Sequence, residues 1–152
     1  MSRAYIALGS NRGDAVANVE RGFNALGTMG IVLRRSSLYR TPPWGTIDQP
    51  DFVNAAALLE TRLNPRALLG ALKEAERRLG RTPGERWGPR EIDLDLLTYD
   101  DVTIDEPDLR VPHEHLRERA FVLVPLAEID PAYASLRDAT DVSERSAIVR
   151  LR

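Results

Sequence analysis

Two aspartates and two guanidiniums fall within ten residues of one another, from Arg86 to Asp95, in the run Arg-Trp-Gly-Pro-Arg-Glu-Ile-Asp-Leu-Asp-Leu-Leu-Thr-Tyr at 86–99. From Ile92 the pattern alternates. Strand side chains point to opposite faces in turn, so Ile92, Leu94 and Leu96 go to one side and Asp93 and Asp95 to the other. The acids' α-carbons are then roughly 6.6 Å apart by strand rise. Two adjacent carboxylates repel, and a shared cation relieves the repulsion. Oxygen-only donors suit a hard ion such as Mg²⁺, which commonly binds one or two carboxylates and completes its shell with substrate phosphates. Arg86 and Arg90 supply forked donors that match phosphate oxygens, and Trp87 offers a flat ring between them. On spacing alone, a salt-bridged solvent face is the favoured alternative, because Asp-x-Asp is a weak pattern.

These residues need a scaffold, and 152 residues are enough for one domain with an ordinary core, spanning 1–152. The hydrophobic fraction of 43% and charged fraction of 29% are those of a globular protein. A net charge of -2 gives no basic field for nucleic acid. No cysteine is present, which excludes disulfides, thiol nucleophiles and thiolate metal sites. Lys73 is the only lysine, so a Gly-Lys-Ser/Thr phosphate loop is excluded. The first residues lack an apolar run with a basic flank, and no membrane span is visible. A cytoplasmic location is expected.

In chain order, Tyr5–Leu8 reads as a buried strand ending in the turn-forming Gly9-Ser10-Asn11. Asp14 caps a helix in which Val16, Val19, Phe23 and Leu26 recur at helical spacing. A strand over Ile31–Arg40 and a partner over Asp51–Thr61 flank a proline-rich loop from Thr41 to Pro50, too long for a tight hairpin. Asn64 and Pro65 start a second helix that buries Leu68, Leu69, Leu72, Ala75 and Leu79. A polar loop at 81–89 leads to the acid-bearing strand, with a return through Val102–Ile104. The order strand, helix, strand, strand, helix, strand is the α+β ferredoxin-like βαββαβ arrangement. Two helices cover one face of its antiparallel sheet. Arg119–Ile129 is expected to cover the other, so that helices lie on both faces, with Pro125 ending or kinking it. Ser143 is the expected cap of a short last helix through Leu151.

The full run Arg-Trp-Gly-Pro-Arg, two residues, then Asp-x-Asp resembles the signature of the 6-hydroxymethyl-7,8-dihydropterin pyrophosphokinase family of folate biosynthesis. Ala-Leu-Gly-Ser-Asn at 7–11, Val-Pro-His at 111–113 and Arg-Ala-Phe-Val-Leu at 119–123 extend the resemblance along the chain. It implies pyrophosphoryl transfer from ATP to a pterin alcohol, with Asp93 and Asp95 as ligands of two Mg²⁺ ions. It also implies a pterin pocket walled by Thr41, Pro42, Pro43 and Trp44, with Asn54 on the pterin edge and Phe52 and Phe121 against its ring. Around ATP it places Glu76, Arg86, Trp87, Arg90, His113 and Arg119, with Arg86 and Arg90 catalytic in a loop that closes. ATP and the pterin would be the small-molecule partners of a monomer, with no nucleic acid or membrane. An RNA-binding module on the same architecture lacks its aromatic signature here. A pterin or nucleotide sensor without turnover is the other alternative.

Overall fold

The computed structural model describes residues 1–43, 48–80 and 91–152. Strand β1 (Ser2–Ser10) is an interior strand of the sheet and is longer than the expected Tyr5–Leu8 at both ends, because Ser2, Arg3 and Ala4 continue the ladder opposite Thr61, Glu60 and Leu59, and Gly9 and Ser10 continue it opposite Asn54 and Val53. Helix α1 (Ala15–Leu26) follows, its first turn capped by the Asp14 carboxylate, which accepts the Ala17 N–H at 3.1 Å. The strand expected over Ile31–Arg40 is broken into β2 (Ile31–Arg35) and β3 (Tyr39–Thr41). Side chains compete with the ladder here: the Ser36 hydroxyl accepts the Ala56 N–H, and the Glu128 carboxylate accepts the Ser37 backbone N–H.

Strand β4 (Phe52–Thr61) pairs with β1, β2 and β3, and helix α2 (Pro65–Arg78) carries its predicted Asn64 cap and N-terminal proline. Strand β5 (Asp93–Tyr99) pairs antiparallel with β1. Among the described residues the main sheet has the order β5-β1-β4-β3, with β2 also on β4, the ferredoxin-like order. The expected return strand does not add to β5. Strands β6 (Ile104–Glu106) and β7 (Leu109–Val111) pair instead with each other. The outer edge of β5 is already occupied, since Leu94 N–H donates to Glu76 and the Leu97 carbonyl accepts from His113 N–H.

Alternation along β4 sorts the core into two layers. Val53, Ala55, Ala57 and Leu59 face α1 and α2 together with Ile6, Leu8, Leu94 and Leu96. Ala56 and Leu97 face α3 (Ala120–Ile129), against Val122, Leu123, Leu126 and Ile129. Helix α3 runs through Pro125 rather than ending there. A mid-helix proline costs roughly 3 kcal/mol, and burial of four large apolar side chains at about 1.5–3 kcal/mol each outweighs it. A 3₁₀ turn (Pro131–Tyr133) and α4 (Ala134–Asp138) follow. Helix α5 (Val142–Ser146) is capped by Asp141, not Ser143, because the Asp141 carboxylate accepts both the N–H and the hydroxyl of Ser143 at 2.8 Å. The expected helix to Leu151 gives way to β8 (Val149–Arg150), which pairs with β3.

Candidate active site

The chemistry-bearing residues meet on the sheet face beneath α3. Asp93 and Asp95 on β5 lie across from Gly9 and Ala7 on β1, which lie across from Asn54 and Ala56 on β4. The central strand therefore offers no long side chain between the acids and the carboxamide. A cavity of about 420 Å³ opens over this floor. Its lining includes Asp93, Asp95, Thr41, Pro42, Phe52, Asn54, Phe121 and Arg119, eight of the residues singled out from the sequence. Phe52 enters from the sheet and Phe121 from the covering helix, so the space has an aromatic side chain on its floor and another on its roof.

Asn54 is 7% exposed and donates Nδ2–H to the Thr41 hydroxyl at 2.7 Å. A Cβ built on Gly9 would meet the Asn54 Oδ1 at 2.6 Å, so only glycine lets the carboxamide lie this close to β1. Both acids are half-buried. Their donor set is oxygen alone, and together with a cavity large enough for substrate oxygens it fits a hard divalent cation. Among the described residues, no group of three or more His, Asp and Glu side chains gathers to hold a metal by itself.

His113 is half-buried near Asp95. Burial pushes its imidazole below the usual range, the Asp95 carboxylate opposes that, and the Arg119 and His115 charges reinforce it. Its Nδ1 accepts the His115 backbone N–H at 3.2 Å, so the neutral ring carries its proton on Nε2. His115 lies between two acids, 3.4 Å from Glu114 and 3.3 Å from Glu118. The Arg119 guanidinium stands 5.7 Å from the Phe121 ring centre, at the cavity margin.

Other expected residues fall elsewhere. Pro43 lines an adjoining cavity of about 390 Å³ that shares Thr41, Pro42 and Phe121 with the main one and reaches α5. Glu76 is 4% exposed and accepts the Leu94 N–H at 2.9 Å, on the strand edge rather than in the cavity lining. Trp44, Arg86, Trp87 and Arg90, with the loop expected to close, lie outside the described residues. Sequence reasoning passed over Ala7, Gly9, Gln49, His115 and Glu118 as lining residues. Gly9 carried a usable signal, since a glycine inside a strand marks close approach.

A sequence model of 7,8-dihydro-6-hydroxymethylpterin-pyrophosphokinase matches residues 5–131. The 2-amino-4-hydroxy-6-hydroxymethyldihydropteridine pyrophosphokinase of Methylorubrum extorquens is 50% identical over 133 residues, 86% of this chain and 84% of that one. The mitochondrial folate synthesis bifunctional protein of Pisum sativum is 46% identical over 125 residues, 82% of this chain but 24% of its own length. The solved HPPK-DHPS of Plasmodium falciparum superposes with a TM-score of 0.70 over 91% of this chain and 43% of that one. At 16% identity that likeness is one of fold. With the match running from β1 through α3, over every strand and helix that bounds the cavity, the chain belongs to the 7,8-dihydro-6-hydroxymethylpterin-pyrophosphokinase family.

Proposed function

We propose that the cavity over Gly9 and Ala7 is where this chain, a pyrophosphokinase by family, moves pyrophosphate from ATP to the hydroxymethyl group of 6-hydroxymethyl-7,8-dihydropterin in folate biosynthesis. One observation carries the reading. Two half-buried carboxylates and a buried, hydroxyl-anchored carboxamide share one cavity floor, kept apart by two residues with almost no side chain.

Asn54 and Thr41 would receive the polar edge of the pterin, whose hydrogen-bonding groups match a carboxamide and a hydroxyl. Phe52 and Phe121 would enclose its flat faces. This leaves the hydroxymethyl group directed across the floor toward Asp93 and Asp95, which would hold two Mg²⁺ ions. Bound there, Mg²⁺ would neutralise phosphate charge and polarise the reacting phosphoryl group. Arg119 and the Nε2–H of His113 are donors suited to phosphate oxygens. Glu76 would act through the strand, its carboxylate holding β5 in place behind the acids. Roles for Pro43, Trp44, Arg86, Trp87 and Arg90 rest on the family pattern.

In the reaction the pterin hydroxyl oxygen bonds to the β-phosphorus of ATP. The bond from that phosphorus to the α,β-bridging oxygen breaks, AMP leaves with the bridging oxygen, and the hydroxyl proton is released. No covalent enzyme intermediate is required, so positioning and charge neutralisation supply the rate. A monomer is part of the same proposal. No helix among the described residues is long and apolar enough to cross a membrane.

Incubation with ATP, Mg²⁺ and the pterin alcohol tests the reading directly. AMP and a pterin diphosphate are expected, and chelation of divalent metal should stop their formation until Mg²⁺ is restored. ADP as the nucleotide product would sink it.

A further inference from the structure

The end of β1 carries an amide pair that the reaction described above does not use. Asn11 is 2% exposed, and its Nδ2 donates to the Pro50 carbonyl at 3.1 Å and to the Gln49 Oε1 at 2.9 Å. A backbone carbonyl can only accept, so Pro50 fixes which end of the Asn11 carboxamide faces it. The same Nδ2 then meets Gln49, whose side chain must answer with its oxygen. Its NH₂ is thereby turned the other way. Gln49 is half-buried and lines the cavity, and Asn11 is its only hydrogen-bond partner among the described residues. A fixed donor pair is left facing a ligand space.

Position indicates which ligand meets it. Gln49 precedes Phe52 by three residues and sits on the β4 side of Asn11, beside Phe52 and Thr41, which are opposite one another in the sheet. The acids lie on the other side of β1, where Arg12 next to Asn11 reaches Glu91 at 4.0 Å. We propose that Gln49 is a specificity-determining donor to an acceptor atom of the pterin, and that Asn11 is the positioning residue that orients it. The inference rests on the pterin reading of this cavity. It gives the Asn11 of the Gly-Ser-Asn run a task that a turn residue would not have: fixing an amide four residues upstream of Val53 through the backbone of Pro50.

The test is a pair of substitutions read by pterin titration and by steady-state kinetics in both substrates. Gln49→Glu keeps an oxygen for Asn11 Nδ2 but has no N–H₂ to offer the ligand, whereas Gln49→Leu loses both. For each, the pterin Kd and KM should rise about tenfold, the worth of one well-placed hydrogen bond, while the KM for ATP stays within twofold; the melting temperature stays close to wild type for Gln49→Glu and falls by a few degrees for Gln49→Leu, which leaves an Asn11 N–H without its acceptor. Asn11→Asp should raise the pterin KM likewise, because a carboxylate cannot donate to Pro50 or Gln49. Should Asn11→Asp fail to fold, the Gln49 variants still decide the matter. Pterin binding within twofold of wild type in both Gln49 variants would overturn the proposal, as would a rise confined to the KM for ATP. Absence of pterin binding and turnover in the wild-type protein measured alongside would refute the site reading itself, a separate and distinguishable outcome.

Discussion

Replacing Gly9 with alanine tests how the site is built. The backbone at Gly9 is ordinary extended strand, since among the described residues the positive-φ glycines are Gly13 and Gly80. Any effect must therefore come from the added methyl. That carbon would stand 2.6 Å from the Asn54 Oδ1, about 0.8 Å inside the 3.4 Å at which ordinary contact begins. Asn54 cannot yield without loss, because its Nδ2 is bonded at 2.7 Å to a Thr41 hydroxyl that is itself 2% exposed. Rotating the carboxamide away strands two buried polar groups, at a cost of about 1–2 kcal/mol. For a chain of this size that lowers Tm by about 3–6 °C. The methyl also raises the cavity floor where the pterin edge would lie, so pterin affinity should fall about tenfold or more. Differential scanning fluorimetry and a fluorescence titration with the pterin measure the two quantities. A variant with Tm within about 1 °C and pterin affinity within twofold of wild type would refute the view that Gly9 and Thr41 together hold Asn54.

Three further outcomes follow from other parts of the molecule. Asp95→Asn, which removes one carboxylate charge from the floor at almost constant volume, should reduce turnover at least a thousandfold while the circular dichroism spectrum and Tm stay close to wild type, an order of magnitude set by loss of phosphate charge neutralisation. Activity near wild type would end the metal assignment. Leu126→Ala empties a side-chain position that is 0% exposed between α3 and the sheet, and urea denaturation should show a loss of about 2–5 kcal/mol. In alkali, Tyr39 holds its proton up to about 12, because burial and then the hydrogen bond to the Glu128 carboxylate oppose ionisation. The unfolded chain releases that proton near 10, so the stabilisation is complete below about 10 and is lost as pH rises toward 12. Tyr5 is raised as well, through burial and its bond to Asp130, and adds to the same slope. Urea midpoints between pH 9 and 12 should therefore fall less steeply for Tyr39→Phe than for wild type, and identical slopes would contradict the assignment.

Much of this architecture is local in origin. The Asp14 and Asn64 caps, the helical spacing of Val19, Phe23 and Leu26, and the alternation along β4 each depend on neighbours within a few residues. The spacing of Asp93 and Asp95 set them on one face of a strand, and the ordered family motifs named the chemistry. Local pattern failed where a distant group competed for the backbone. Ser36 and Glu128 took the hydrogen bonds that would have continued β2 into β3, and Glu76 with the His113 backbone occupied the strand edge that a return from Val102 would have needed. Pro125 entered a helix because burial on the sheet outweighed its local cost.

The residue types fixed that this chain would carry a pair of oxygen ligands, arginines in place of a lysine phosphate loop, and a proline-walled loop. Tertiary structure decided what those residues face. Antiparallel pairing set Gly9 and Ala7 between the acids and Asn54, and so turned a small-residue stretch of β1 into the floor of a cavity. It also brought Asn11 within reach of Gln49 and Pro50, 38 and 39 residues further along the chain. Spacing along a strand is a covalent property that can be read from the chain itself. Which side chains meet across strands depends on register, and register is set by the burial of both sheet faces at once.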